Sequence, residues 1–308
     1  MKRQGLTMLL RSAVGVGAAF LGLLLIGFVV AALPEVFSIR LERVVIRLTA
    51  PLERVAEYLG TLGSGELFGY QAGSMSRNFL ADLGPYWLNS FLFLFGGLAQ
   101  GLLVGTTTGM LVARYDLRRT EHFIGSLGLV PDFLLALLLQ LVVIAITLTT
   151  GVRVARVASA GSQLALLLPL IVMTLYPAVA AMHVAADRIH HFRGEQFVGN
   201  LIARGIAPGR IYRRHLLPGV LDGLRKELPR ILGTHAATLF ITERVFQSRG
   251  LVRWMFAYTF LDRGELQLGG YQYGFMVHCL IALLTVVVVS YILARLGMAL
   301  TLAVSRHA

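Results

Sequence analysis

Charge is scarce in this chain. Of 308 residues, 14% are charged and 56% hydrophobic, whereas a soluble domain carries about 25% charged residues. That scarcity argues against a large soluble fold, because buried helices of such a fold need a charged outer face, and the long apolar windows here have none. There is one cysteine, Cys279, which excludes an internal disulfide. Lysine is nearly missing: Lys2 follows Met1, and Lys226 follows Arg225. A phosphate-cradling G-x-x-x-x-G-K-[ST] loop places its lysine directly after a glycine, so the sequence predicts no ATP hydrolysis by the chain itself. His183, His190 and His191 lie close in sequence but without a metal-ligand spacing such as H-E-x-x-H. No catalytic, cofactor-binding or metal-binding residue is predicted.

What the chain does contain is long apolar runs. A helix rises about 1.5 Å per residue and needs roughly 20 apolar residues to cross the hydrocarbon core of a bilayer. Ser12–Leu33, Leu83–Ala113, Phe133–Val152, Val157–Ala186 and Leu266–Ala294 qualify, and Ile231–Thr242 is a shorter candidate. The first window has Lys2, Arg3 and Arg11 before it but no A-x-A-like site after it, so it reads as a retained helix. The expectation is an all-α, multispanning membrane bundle of about six helices in one domain over residues 1–308. With the N-terminus inside, cytoplasmic parts hold 17 Lys and Arg against 11 outside, the sense of the positive-inside rule. The net charge of +12 therefore sets orientation, with both termini in the cytoplasm, and does not call for nucleic acid.

Two segments exceed simple connectors. Residues 34–82, on the outer side, include LERVVIRLTAPLERVAEYL, whose apolar spacing predicts a helix lying on the surface. Residues 188–230, on the inner side, carry nine Lys and Arg. Within the second segment Phe197, Val198, Leu201 and Ile202 form an apolar stripe beside Ala203, Arg204, Arg210, Arg213 and Arg214. That spacing predicts a short amphipathic helix, broken by Gly205 and by Pro208 with Gly209. A second short helix through Ile211, Tyr212 and Leu216 is expected to end at Pro218.

In the second window Gly97, Gly101, Gly105 and Gly109 recur every four residues, which places them on one helix face and favours close packing of a neighbouring helix. Between Arg230 and Glu243 only 12 residues are uncharged, about 18 Å of helix. On a helix Asp222, Arg225, Lys226 and Arg230 share an arc of about 140°, continued by Gly233 and Ala237. Charges at membrane depth usually face a bundle interior or a pathway, so these residues, with Glu243, are candidate pathway-lining groups, and Asp222 with Lys226 is expected to pair at i,i+4; the alternative is a helix that starts in the cytosol with these charges solvated. Asp132 beside Pro131 reads as a helix-start residue.

FVGNLIARGIAPGRIYRRHLLP, residues 197–218, resembles the coupling loop of ABC importer permeases, and most closely the dipeptide, oligopeptide and nickel branch. Gly205, Leu217 and Pro218 match the general pattern, in which a glycine is followed after nine residues by Ile-x-Leu-Pro, and Phe197, Val198, Ala203, Gly205 and His215 fit that branch's version of it. GSGELFGYQAG before the second window, SLGLVPDF before the third and FITERVFQSRGLVRWMF after the fifth resemble further family segments in the same order. The charges after Pro218 depart from the family, whose fifth span is apolar. The resemblance implies a type I ABC importer permease fold in the bacterial inner membrane. It also implies that the permease pairs with a second homologous permease, two ATPase subunits that bind ATP and Mg, and an extracytoplasmic solute-binding protein. An ion-gradient-driven secondary transporter is the alternative reading; that class shows internal repeats, and none is found here.

Overall fold

The computed structural model describes residues 15, 17–18, 21–40, 43–61, 67–160, 163–260 and 270–307. Lys2, Arg3 and Arg11, and residues 63–66 of GSGELFGYQAG, lie outside the described residues. The chain divides into two compact units, one from residues up to 88 with 250–288, the other from 89–249 with 289 onward.

In the first unit, helix α1 covers 21–32 and runs into a 3-10 turn, Leu33–Val36. Strands β1 (Phe37–Arg40) and β2 (Arg43–Ile46) then pair antiparallel, Phe37 opposite Ile46. Helix α2 spans Ala50–Gly60, with a proline in its first turn. The single surface helix expected across LERVVIRLTAPLERVAEYL is thus corrected: Val44, Val45 and Ile46 are β-branched and favour a strand, and Pro51 pre-sets the helix start. Strands β3 (Gly69–Ala72) and β4 (Met75–Asn78) form a second hairpin. Its turn needs Gly73, at φ +66°, as the first position of a II′ turn does.

Aromatic rings fill this unit. Trp254, 1% exposed, stacks on Phe79 at 4.8 Å and on Tyr86 at 4.4 Å, while Tyr70 stacks on Phe275 at 4.7 Å. The Tyr70 hydroxyl donates to Asp82 at 2.7 Å, and burial with that carboxylate raises its pKa above the ordinary phenol value. Tyr271 and Tyr273 donate to the carbonyls of Ala31 and Phe28, tying α1 to the segment around 271–273.

Helix α3, Phe79–Tyr115, has residues in both units. The second unit continues with α4 (Arg118–Leu127), α5 (Asp132–Thr150), α6 (Leu167–Arg193), α7 (Gln196–Ala203), α8 (Pro208–Ile211) and α9 (Leu217–Val245). Helix α10, Leu251–Tyr258, belongs to the first unit, and α11, Tyr273–His307, has residues in both. Four described helices are long and apolar enough to cross a membrane: α3, α5, α6 and α11. Helix α5 buries Ala136 and Val143 with Leu135 and Leu139 packed beside them, and its exposed leucines, valines and isoleucines present an apolar surface that suits hydrocarbon rather than water.

Helix α6 begins ten residues later than the apolar run at Val157 suggests. Residues 157–160 instead run as irregular chain, held where Ser159 N–H donates to Phe246 O at 2.9 Å and Gln140 Nε2 to Val157 O at 2.6 Å. Pro169 then falls in the first helical turn, where its missing N–H leaves no bond unmade.

The glycine face of α3 meets α6. A methyl built at Gly97 would lie 2.6 Å from Met173 Cβ, and one at Gly101 2.6 Å from Pro177 Cβ. At Gly105 and Gly109 it would run into the carbonyl oxygens of Ala178 and Met182. Helix α6 also packs on α4, α5 and α9, and Leu94, Leu98, Met173, Leu224, Leu228 and Ile231 form a fully buried centre.

Replacing Gly101 by leucine is expected to cost about 1–3 kcal/mol through overpacking. Gly233→Ala, where nothing lies within 4 Å, is expected to be neutral or stabilising by up to about 1 kcal/mol. Thermal unfolding of the detergent-solubilised protein by circular dichroism compares the two. A Gly101→Leu variant that melts like the parent contradicts the close α3–α6 approach.

Candidate functional site: the basic elbow and the charged face of α9

Helix α6 ends with His190, His191 and Arg193 in its last turn, where positive charge complements the helix dipole. Helix α7 follows and turns Val198 inward. Leu201 is half-buried, whereas Phe197 and Ile202 stand 38% and 62% exposed. Gly205, at φ +73°, closes α7: its N–H donates to Ile202 O at 2.9 Å, and Ile206 N–H to Leu201 O at 3.2 Å. This pair of bonds is the Schellman arrangement, which requires a left-handed residue at Gly205. Ala207 is extended (φ −57°, ψ 135°), as the residue before a proline tends to be.

Beyond Pro208 the chain does not end its second helix at Pro218. Helix α8 passes into a π turn, Tyr212–Leu216, in which Leu217 N–H bonds to Tyr212 O, and then into α9 with Pro218 in its first turn. The correction has a steric cause. A proline ring clashes with the carbonyl four residues earlier in a regular α-helix, and the wider turn relieves that clash without stopping the helix.

The elbow and the two helix ends that it joins are held at several points. Arg193 Nη1 donates to Ala113 O at 2.5 Å. The Arg114 guanidinium sits 5.8 Å from the centre of the Tyr212 ring. Gly219 leaves room for the Phe192 ring, and Gly223 for Arg188, whose Nε would be 2.9 Å from an added methyl. Ala203, Arg204, Arg210 and His215 are exposed, Leu217 and Pro218 half-buried. Among the described residues no carboxylate lies within ion-pair distance of Arg204 or Arg210. The result is a rigidly mounted projection with a greasy tip and basic flanks.

A scan against known family models finds none that matches the chain, and a search of curated proteins finds no similar sequence.

Helix α9 is continuous over 29 residues, about 44 Å, so the short apolar window at 231–242 is its second half and the charged run its first. Val220, Leu221, Leu224, Leu228, Ile231 and Leu232 are buried. The other face carries Asp222, Lys226, Arg230, Gly233 and Ala237, all exposed, with Arg225 half-buried beside it. Lys226 Nζ lies 2.9 Å from Asp222 Oδ2, and Arg230 Nε 2.7 Å from Glu227 Oε2. Glu227 was not singled out by the arc argument, although its i,i+3 spacing to Arg230 is visible in the sequence.

Glu243 does not join that face. It is fully buried and accepts a 2.5 Å hydrogen bond from Ser90 Oγ. Other buried polar groups of α9 are bonded in part, since His235 Nδ1 and Arg225 Nε are buried with no partner among the described residues. Thr238 donates to Asp132 Oδ2 at 2.5 Å, placing Asp132 at the first residue of α5 and against α9, and His235 Nε2 contacts Leu94 O at 2.9 Å. His190 lies 3.8 Å from Glu121 and His191 3.5 Å from Glu195. Among the described residues no group of three or more His, Cys, Asp or Glu is placed to hold a metal.

Arg193→Gln removes the bond to Ala113 O, worth about 1 kcal/mol. Trypsin is expected to cut the elbow at Arg204 and Arg210 about fivefold faster as the mounting loosens. Unchanged cleavage would mean that Arg193 does not hold the elbow.

Proposed function

We propose that this chain is the membrane-spanning permease subunit of an ABC importer, forming half of a translocation pathway for peptides or a related small solute. It pairs with a second homologous permease, with two ATPase subunits that bind ATP and Mg, and with an extracytoplasmic solute-binding protein, in a bacterial inner membrane with both termini in the cytoplasm. The observation that carries this reading is the elbow at 194–216. A segment that exposes Phe197 and Ile202, flanks them with arginines, and joins the ends of α6 and α9 where these are held to each other and to α3 suits a lever. Its apolar tip fills a groove on an ATPase, its arginines orient it, and its mounting passes the displacement to α9. A flexible tether would make no differential contact in two states and would transmit nothing.

The exposed face of α9 suits the pathway in the same scheme. Asp222, Lys226 and Arg230 lie on the helix that begins at the elbow, so a push on the elbow reorients them. Charges there are tolerated because they face water in the route and not lipid.

Gly205→Val forces a β-branched residue into the left-handed region at a cost of about 1–2 kcal/mol. ATP-driven uptake is expected to fall roughly tenfold, and Phe197→Asp with Ile202→Asp is expected to release the ATPase on purification. An assembled complex with full uptake in both variants refutes the coupling role. For the pathway, Arg230→Cys gives a reporter against a silent background, because Cys279 is fully buried. Its reaction with a water-soluble maleimide is expected to change several-fold between nucleotide-free and ATP-trapped states; equal reactivity in both places the α9 face outside the route.

A further inference from the structure

An apolar groove of about 410 Å³ lies on the second unit between α3, the start of α9 and the end of α11. Phe95, Leu103 and Met110 of α3, Leu217 and Leu221 of α9 and Met298 of α11 are among its walls. From Phe95 to Met110 it follows α3 for about 22 Å. Two of its threonines turn their hydroxyls back onto the helix backbone: Thr107 donates to Leu103 O and Val104 O, and Thr301 to Gly297 O.

One end of the groove is flanked by basic residues. One helical turn beyond Met110 stands Arg114, and one turn before Leu217 stand Arg213 and Arg214. The contact of Arg114 with the Tyr212 ring brings these two places together. All three arginines are exposed, and among the described residues none has a carboxylate within ion-pair distance.

We propose that this groove binds one acyl chain of an anionic phospholipid, in the leaflet on the elbow side, with the headgroup phosphate held by Arg114, Arg213 and Arg214. The walls are apolar along the length of the groove, and an extended hydrocarbon chain is thin enough to lie in it. Charge selects the headgroup: basic clusters between membrane helices at a leaflet surface recognise anionic lipid. The site also gives the elbow a second attachment, because Arg213 and Arg214 belong to its π turn.

The test uses native mass spectrometry on the full chain in mild detergent, titrated with dioleoyl phosphatidylglycerol or dioleoyl phosphatidylcholine. Phosphatidylglycerol is expected to be retained at least tenfold more strongly. Replacing Arg114, Arg213 and Arg214 together by glutamine is expected to abolish that preference, at roughly fivefold per charge, and replacing all three by lysine to keep it. Gly297→Leu, which enters open space on the groove wall, is expected to expel the lipid while the melting temperature stays that of the parent. Equal retention of the two lipids, or retention unaffected by Gly297→Leu, overturns the proposal. So does displacement of phosphatidylglycerol by glycerol phosphate alone, which would assign the arginines to a free anion. Cross-linking of a second polypeptide to a cysteine at position 297 would overturn it as well.

Discussion

The near-contact of two backbones, α3 against α6, is the constraint on which the second unit rests. In lipid there is little hydrophobic gain from joining helices, so association depends on close packing and on hydrogen bonds. Four glycines on one face of α3 let the carbonyls of Ala178 and Met182 come to where side chains would otherwise stand. With α6 seated there, Arg193 at its end reaches Ala113 O at 2.5 Å. The position of the elbow follows from that seating, because the elbow begins where α6 stops.

Helix α9 joins two environments. Most of its buried polar atoms are met, His235 Nε2 by a backbone carbonyl, Thr238 by Asp132, and Glu243 by Ser90, while His235 Nδ1 has no partner among the described residues. Such pairing is favoured, since a polar group without a partner in a low-dielectric interior costs several times what a satisfied one returns. Its first half solves the problem differently, by neutralising Asp222 with Lys226 and Glu227 with Arg230 on a face that the chain itself leaves open. One rigid helix thus links the elbow to a charged surface, which is the mechanical basis of the permease reading.

Much of this was legible from residue spacing, and the failures have local causes. The α7 helix, its stop at Gly205 and the restart at Pro208 follow from an apolar stripe and two backbone-specific residues. Pro218 misled because proline reads as a stop, whereas the π turn before it widens the helix and relieves the clash of its ring. The run LERVVIRL misled because apolar residues at helical spacing were also β-branched neighbours, and strand pairing of Arg43–Ile46 with Phe37–Arg40 took precedence. Val157 looked like the start of a span by composition, yet its carbonyl is held by Gln140, a partner 17 residues away.

The sequence by itself determined where helices run through apolar stretches, where glycine and proline break them, and that α3 has a small-residue face, since each of these depends on neighbours within a turn or two. Only the tertiary structure decided that α6 occupies that face, that Glu243 belongs to Ser90 and not to the Asp222–Arg230 face, and that Arg114 meets Tyr212. Those contacts join residues that can be 153 positions apart, and no local pattern encodes a partner at that distance. It is chosen by which helices can approach closely enough to satisfy each other's polar groups.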